Sequence, residues 1–93
     1  MSDNNTNDQQ IIIYKTPTCA FCHTEQQWME SLGVTNVVLR DIETEDGAQD
    51  ELMAKINGDF RGVPVTDIAG TMITGFDRPR LTEALKANNY IAV

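Results

Sequence analysis

A short apolar run that is followed almost at once by a proline is the feature that most limits how this chain can fold. Residues 11–14 are three isoleucines and a tyrosine, a composition typical of a buried strand. Pro17 ends this strand, because proline has no N–H to donate within a central sheet. The apolar spacing that follows predicts a helix over residues 20–32. Two sets of side chains are candidates for its buried stripe: Cys22, Met29 and Leu32, or Phe21, Trp28 and Leu32.

Three more short strands are predicted, at residues 37–39, 65–68 and 72–74. The first of them is joined to the opening strand through a helix, and strands connected in this way are usually parallel, with a right-handed crossover. The last two are separated only by Ala69 and Gly70, so they must be antiparallel. A four-stranded mixed sheet flanked by helices satisfies both conditions.

Two more helices complete the predicted fold. Thr44 and Asp77 are suitable N-caps, because their side-chain oxygens can accept hydrogen bonds from the free N–H groups of a first helical turn. Each helix then has apolar residues at helical spacing for an inner face. These residues are Ala48, Leu52 and Ile56 in the first helix and Leu81, Ala84 and Leu85 in the second.

Length and charge exclude several classes of protein. Of the 93 residues, the first ten are almost all polar, so residues 1–10 are expected to be a disordered tail and residues 11–93 one folded domain. The tail lacks the basic start and apolar core of a signal peptide, and no apolar run is long enough to cross a bilayer. The formal net charge of −7 disfavours a nucleic-acid partner. We therefore expect a cytoplasmic monomer with no membrane or nucleic-acid partner.

The two cysteines, Cys19 and Cys22, stand where the first strand gives way to the first helix. In the absence of an export signal, so close a pair is more commonly catalytic or metal-binding than structural. The free N–H groups and positive dipole end of a first helical turn favour a thiolate on Cys19, which is the reactive form. Cys22 lies deeper in the same turn, so it can attack a mixed disulfide on Cys19 and release the substrate. The pair predicts a dithiol oxidoreductase with Cys19 as nucleophile and Cys22 as resolving thiol.

Other interpretations of the cysteine pair stay open. A zinc site normally needs two further Cys or His ligands, and the one histidine of the chain, His23, adjoins Cys22. The run Cys-Ala-Phe-Cys-His also matches the pattern for covalent haem attachment. Both cysteines could instead be buried core residues without chemistry. No metal site is predicted, and the alternative functions are a non-catalytic peptide-binding module and an iron–sulfur or zinc carrier.

A second feature supports redox chemistry. Val63 and Pro64 follow Gly62 and open a strand after a loop. An X–Pro bond is usually trans, but the cis form is also accessible to it. A cis bond beside the thiols would leave the backbone of Val63 free to pair with an extended peptide.

Three segments of the chain, taken together, resemble a known family. Residues 14–22 read Tyr-Lys-Thr-Pro-Thr-Cys-Ala-Phe-Cys, residues 62–65 read Gly-Val-Pro-Val, and residues 73–77 read Ile-Thr-Gly-Phe-Asp. Over residues 11–86 the chain resembles the glutaredoxin branch of the thioredoxin-fold family, in which these segments are the CxxC loop, the cis-proline segment and the turn before the last helix. The resemblance implies an α/β, thioredoxin-like fold, a four-stranded mixed sheet flanked by three helices in the order βαβαββα. It also implies that Pro64 is cis.

The resemblance implies an enzyme that reduces protein disulfides or glutathione mixed disulfides, with no bound cofactor and with glutathione as co-substrate. In members that use glutathione, the tripeptide lies between places that match the loop before Cys19, the backbone at Val63 and Pro64, and the turn at residues 75–77. Basic residues in segments expected to border the thiols would stabilise a thiolate and attract anionic glutathione; they are Lys15, Arg61, Arg78 and Arg80. The residues predicted to bind glutathione or another substrate are Lys15, Thr16, Phe21, Arg61, Val63, Pro64, Gly75, Phe76 and Asp77.

The chain also departs from the typical family pattern. Cys-Ala-Phe-Cys stands where Cys-Pro-Tyr-Cys is typical, and Thr16 stands where many members have a basic residue. Gly75 and Phe76 resemble the Ser-Gly-Phe segment of glutaredoxin-like electron donors that are reduced by thioredoxin reductase. The expected partners are therefore disulfide-containing proteins, with either glutathione or thioredoxin reductase as the source of electrons.

Overall fold

The computed structural model of this chain describes residues 10–91, so nearly all of the predicted tail, residues 1–10, lies outside the described residues. Four strands and three helices follow one another in the predicted order βαβαββα. None of the helices in this range has the length and apolar character needed to cross a bilayer. The elements are β1 (Ile11–Lys15), α1 (Ala20–Ser31), β2 (Val37–Asp41), α2 (Ala48–Lys55), β3 (Val65–Ile68), β4 (Thr71–Thr74) and α3 (Arg78–Ala87).

The four strands form one mixed sheet in the spatial order β2-β1-β3-β4. β1 and β2 are parallel and are connected through α1, as a strand–helix–strand connection predicts. β3 is antiparallel to both β1 and β4. The β3–β4 hairpin turns at Ala69 and Gly70, whose φ angles of 52° and 95° are both positive, as the tightest hairpin turns require. The fold class predicted from the sequence is therefore confirmed.

Each face of the sheet has its own apolar core. Side chains alternate along β1, so Ile11 and Ile13 face α1 and α3 and pack among buried residues of both helices. Tyr14 of β1 and Val65 of β3 face the opposite side, where they pack on Leu52 of α2. Helices α1 and α3 thus cover one face of the sheet, and α2 covers the other.

The buried stripe of α1 differs in part from both predicted sets. Cys22 and Met29 are buried, as in the first set, but Leu32 is the C-cap residue and is 39% exposed. The charged residue Glu25 occupies the buried position between Cys22 and Met29. The second set is wrong at its first member, because Phe21 is 65% exposed.

Helix α2 has its N-cap at Gly47, so the predicted Thr44 cap is wrong. The Asp41 carboxylate accepts hydrogen bonds from the backbone N–H groups of Glu43 at 2.9 Å and Thr44 at 3.1 Å. These bonds hold the segment after β2 in a turn, because a short carboxylate side chain competes well with a helix for nearby N–H groups. Gly47 has a φ of 83°, a left-handed conformation that glycine adopts without a steric penalty, and the helix begins after it.

Polar contacts hold α2 against its face of the sheet. Glu51 accepts a hydrogen bond from the Tyr14 hydroxyl and pairs with Arg40 of β2 at 2.7 Å. The Lys55 ammonium lies 2.7 Å from the Asp67 carboxylate of β3 and 5.1 Å from the centre of the Tyr14 ring. Burial and, after it, the hydrogen bond to Glu51 raise the pKa of Tyr14, so its hydroxyl stays protonated as the donor.

Truncation of the core shared by α1 and α3 is expected to be costly. Leu85 of α3 is fully buried, so Leu85→Ala removes buried methyl groups and leaves a cavity, which should lower the free energy of unfolding by about 2–5 kcal/mol. The matched control is Leu32→Ala, at a leucine that is 39% exposed, with an expected cost under about 1 kcal/mol. Urea titration of both variants measures the two costs, and equal values would contradict the assigned core.

Candidate active site at one edge of the sheet

The strand register brings three segments to one edge of the sheet. Tyr14 of β1 pairs with Val65 of β3, and Val65 pairs with Thr74 of β4. The end of β1, the start of β3 and the end of β4 therefore lie side by side. The N–H of Gly75 donates to the carbonyl of Pro64 at 2.8 Å, which extends the alignment beyond the strands. The loop before α1, the loop before β3 and the turn after β4 are thereby brought together.

The cysteine pair occupies the first turn of α1 and forms a disulfide bond, with 5.3 Å between the two Cα atoms. Cys19 is the N-cap residue, and its Sγ accepts a hydrogen bond from the N–H of Cys22 at 3.1 Å. The sulfur thus takes the place of the serine or aspartate oxygen that commonly caps a helix. Cys22 is only 2% exposed, whereas Cys19 is half-buried and reaches the surface. The two sulfurs therefore differ in their access to a disulfide from outside.

The peptide bond between Val63 and Pro64 is cis, as the family resemblance implies. Pro64 is buried, and Val63 before it is half-buried. Since the Pro64 carbonyl accepts the hydrogen bond from Gly75, the cis-proline segment and the turn after β4 are joined directly through their backbones.

A first cleft opens beside the disulfide and is lined by residues 15–20 and His23. The N–H of Cys19 donates to the carbonyl of Thr16 at 3.2 Å, which closes the loop tightly before the helix. The Lys15 ammonium lies 3.7 Å from the Asp41 carboxylate at the end of β2. The cleft has the Lys15 side chain, paired with Asp41, on one wall and the accessible sulfur on another.

A second cleft lies where the turn after β4 enters α3. Asp77 is the N-cap of α3, as predicted, and accepts a hydrogen bond from the N–H of Arg80 at 3.2 Å. Phe76 packs edge-on against Trp28 of α1, with ring centroids 5.8 Å apart, and the Arg78 guanidinium lies 5.5 Å from the centre of the same indole ring. Arg80 lies 3.7 Å from Asp77, whereas Arg78 has no acidic partner among residues 10–91. The second cleft thus has an unpaired positive charge at its rim.

Comparison with known proteins agrees with this geometry. The family model described as Glutaredoxin matches residues 11–73. The chain belongs to the glutaredoxin family. It is also 28% identical over 76 residues to a Clostridium pasteurianum protein described as an uncharacterized glutaredoxin-like 8.6 kDa protein in a rubredoxin operon, a match that covers 82% of this chain and 97% of that protein.

Solved structures of other glutaredoxins share the fold. A buckwheat glutaredoxin, solved as a complex with glutathione, is 20% identical with a TM-score of 0.69, over 98% of this chain and 89% of that chain. The NrdH-redoxin of Escherichia coli, described as a glutaredoxin-like protein with a thioredoxin-like activity profile, is 24% identical with a TM-score of 0.67, over 80% and 92% of the two chains. Family membership and the Cys19–Cys22 pair together support a thiol–disulfide oxidoreductase-like role for this chain.

Most of the predicted glutaredoxin site residues lie at this edge of the sheet. Cys22, Val63 and Pro64 line neither cleft, but they belong to the disulfide and the cis-proline segment at the same edge. Phe21, in the first turn of α1, lines neither of the two clefts and is 65% exposed. Arg61 also lines neither of them, and its guanidinium lies 3.3 Å from the Asp59 carboxylate. The binding roles of all these residues stay predictions. Those at the edge are Lys15, Thr16, Cys19, Cys22, Val63, Pro64, Gly75, Phe76 and Asp77.

Sequence reasoning missed one buried residue behind the thiols, Glu25 of α1. The Thr66 hydroxyl of β3 donates a hydrogen bond to its Oε2, whereas its Oε1 has no hydrogen-bond partner among the described residues. Burial raises the pKa of Glu25 to about 7, although the hydrogen bond from Thr66 acts in the opposite direction. The available signal was its position, because Glu25 lies between Cys22 and Met29 at a spacing that places all three on one helical face.

The raised pKa of Glu25 is expected to make stability depend on pH. The folded protein holds this proton up to about pH 7, whereas the unfolded chain, with a pKa near 4.5, releases it earlier. The contribution to stability is therefore complete below about pH 4.5 and is lost as the pH rises to about 7. Glu25→Gln cannot ionise, so it does not lose this stability as the pH rises. Between these two pH values, its free energy of unfolding relative to that of wild type should therefore increase by on the order of 3 kcal/mol.

Urea titrations at the two pH values measure this gain. Glu30→Gln is the matched control, because Glu30 is exposed on the same helix and its replacement should behave alike at both pH values. A difference between Glu25→Gln and wild type that does not change with pH would show that Glu25 titrates as an ordinary carboxyl.

Proposed function

We propose that this chain is a dithiol–disulfide oxidoreductase that reduces protein disulfides or glutathione mixed disulfides through Cys19 and Cys22. The observation that carries the proposal is a disulfide in the first turn of α1 with one sulfur accessible and the other buried. Such a pair can exchange with an outside disulfide at one sulfur and close again through the other. Membership of the glutaredoxin family supports the same chemistry.

Cys19 is the proposed nucleophile of the reduced form. Its Sγ lies at the helix N-terminus, beside the N–H of Cys22, where the helix dipole favours a thiolate. The thiolate attacks one sulfur of a substrate disulfide and forms a new S–S bond with it. The other substrate sulfur leaves with the electrons of the broken bond and takes a proton from water. The product is a mixed disulfide between Cys19 and the substrate.

Cys22 is the proposed resolving thiol, since it is buried within the same helical turn as Cys19. Once deprotonated, its sulfur attacks the Cys19 Sγ, and the bond from Cys19 to the substrate sulfur breaks. The substrate leaves as a thiolate, and the chain is left as the Cys19–Cys22 disulfide. Two electrons have then passed to the substrate, and two molecules of glutathione can return them as one glutathione disulfide forms.

Glutathione is the proposed co-substrate, with the two clefts and the cis-proline segment as its binding surface. It is anionic, and Arg78 brings an unpaired positive charge to the second cleft, while the Lys15 ammonium, paired with Asp41, lines the first. The N-terminus of α3 at the second cleft suits a carboxylate, and the backbone of Val63 is proposed to pair with the extended tripeptide. Such a reaction would serve electron transport and thiol redox homeostasis in the cytoplasm, where thiols are kept reduced.

Serine replacements separate the roles of the two cysteines. Cys19→Ser is expected to abolish disulfide reduction, because a hydroxyl cannot replace the attacking thiolate. Cys22→Ser is expected to accumulate the mixed disulfide on Cys19, because the thiol that releases the substrate is gone. Mass spectrometry of the intact protein after addition of glutathione disulfide detects this adduct. Full activity of Cys19→Ser would overturn the proposed function, and failure to trap an adduct with Cys22→Ser would overturn the assigned roles.

The choice of electron donor tests the proposed co-substrate. The oxidised protein is mixed with NADPH and either glutathione with glutathione reductase or thioredoxin reductase, and the loss of NADPH absorbance is followed. We expect turnover with the glutathione system. Turnover with thioredoxin reductase alone would replace glutathione as donor and keep the dithiol chemistry. No loss of NADPH with either system would favour a non-catalytic peptide-binding module. Colour or bound metal in the purified protein would favour a metal carrier.

A further inference from the structure

The buried carboxyl of Glu25 has no part in the two-step exchange described above, although Glu25 follows the resolving Cys22 by three residues on the same helix. Cys22 and Glu25 are three residues apart in α1, so their side chains lie on the same helical face in adjacent turns. Both residues are buried, with exposures of 2% and 0%. A carboxyl is costly to bury without full hydrogen bonding, so its presence at this position calls for a physical reason.

Only part of the hydrogen-bonding capacity of Glu25 is satisfied. Its Oε2 accepts a hydrogen bond from the Thr66 hydroxyl, and its Oε1 has no partner among the described residues. Thr66 is itself fully buried in β3, two residues after the cis Pro64. The carboxyl is therefore fixed between the helix that carries the thiols and the strand that follows the cis proline. One of its oxygens is free to take a proton.

Several ionisable groups of the neighbouring elements are engaged elsewhere. In β3, Asp67 faces the opposite side of the sheet and pairs with Lys55 at 2.7 Å. In β1, Tyr14 faces that side as well and donates to Glu51. The groups nearer to the thiols have other surroundings: Lys15 pairs with Asp41, Arg78 stacks on Trp28, and His23 is exposed. Cys22 lies three residues from Glu25 on the same buried face of α1, which makes it a candidate to exchange a proton with this carboxyl.

We propose that Glu25 accepts the proton of Cys22 when Cys22 attacks the mixed disulfide on Cys19, a step that rests on the function proposed above. The S–H bond of Cys22 breaks and its proton passes to the Glu25 carboxylate. The electron pair left on the Cys22 sulfur forms the bond to the Cys19 sulfur, and the substrate sulfur leaves with the pair of the broken S–S bond. When the disulfide is reduced again, Glu25 returns the proton to the Cys22 thiolate.

The surroundings of Glu25 suit it to both halves of this cycle. Burial brings its pKa to about 7 in the disulfide form, so the protonated and ionised states are both populated at neutral pH. A proton-transfer group works best when its pKa is close to the working pH. Without such an acceptor, Cys22 would have to form a thiolate in an apolar interior, which burial disfavours.

A single-turnover reaction with the aromatic disulfide dithiobis-nitrobenzoate tests this role. The reduced protein releases one coloured thiolate when Cys19 attacks and a second when Cys22 resolves the adduct, so the two steps give two phases. Glu25→Gln should leave the first phase unchanged and slow the second by at least about tenfold at pH 7. The second phase of wild type should rise with pH through an inflection near the pKa of Glu25, about 7, and the variant should lose that inflection.

Two further variants keep the test decisive if Glu25→Gln fails to fold. Thr66→Val removes the hydrogen bond that lowers the pKa of Glu25, so the inflection of the second phase should move to higher pH. Glu30→Gln, at an exposed position of α1, should match wild type in both phases. The role of Glu25 would be overturned if the inflection of Thr66→Val stays at the wild-type pH, or if folded Glu25→Gln has a second phase as fast as that of wild type. Either result would leave the proposed function standing. Absence of the first phase in wild type would overturn the proposed function as well.

Discussion

The antiparallel pairing of β3 with β1 is the constraint on which the rest of the molecule depends. Because Tyr14 lies opposite Val65, the chain must leave β1 and enter β3 at the same edge of the sheet. The cysteine loop and the cis-proline loop are therefore neighbours through backbone pairing, before any side chain of the clefts contributes. A slip of one residue between these strands would send Thr66 and Ile68 to the opposite face, away from α1. One register thus fixes both the larger core and the surroundings of the thiols.

Much of the fold could be predicted because its signals are local. The two-residue turn at Ala69 and Gly70 fixes an antiparallel hairpin, and Asp77 caps α3 with the carboxylate that the sequence offers. The start of α2 could not be predicted in the same way. Thr44 is a good cap by residue type, but its N–H donates to Asp41 at the end of β2. This bond keeps the segment in a turn, and the helix begins only after Gly47. The start of the helix is therefore decided by a hydrogen bond at the end of a strand and not by the capping preference of a residue type.

The site residues that belong to local sequence motifs could be predicted, whereas the residue that depends on tertiary packing could not. The cysteine pair and Pro64 are evident from spacing and family resemblance, and the structure brings their loops together. Apolar periodicity, however, counts only apolar residues, so it passed over Glu25 on the stripe of Cys22 and Met29. Only the burial of that face, and the hydroxyl of Thr66 across from it, distinguish this carboxyl from that of Glu30, the exposed acid of the same helix.

Helix α2 stands alone on the face of the sheet that turns away from the thiols, held there by Tyr14, Arg40 and Asp67. The sheet therefore separates the Cys19–Cys22 disulfide and helices α1 and α3 on one side from α2 on the other. The outer surface of α2, where Gln49 and Asp50 are exposed, offers a place for a fluorophore, a surface tether or a fused domain. A protein immobilised through that helix would present its disulfide to the solution.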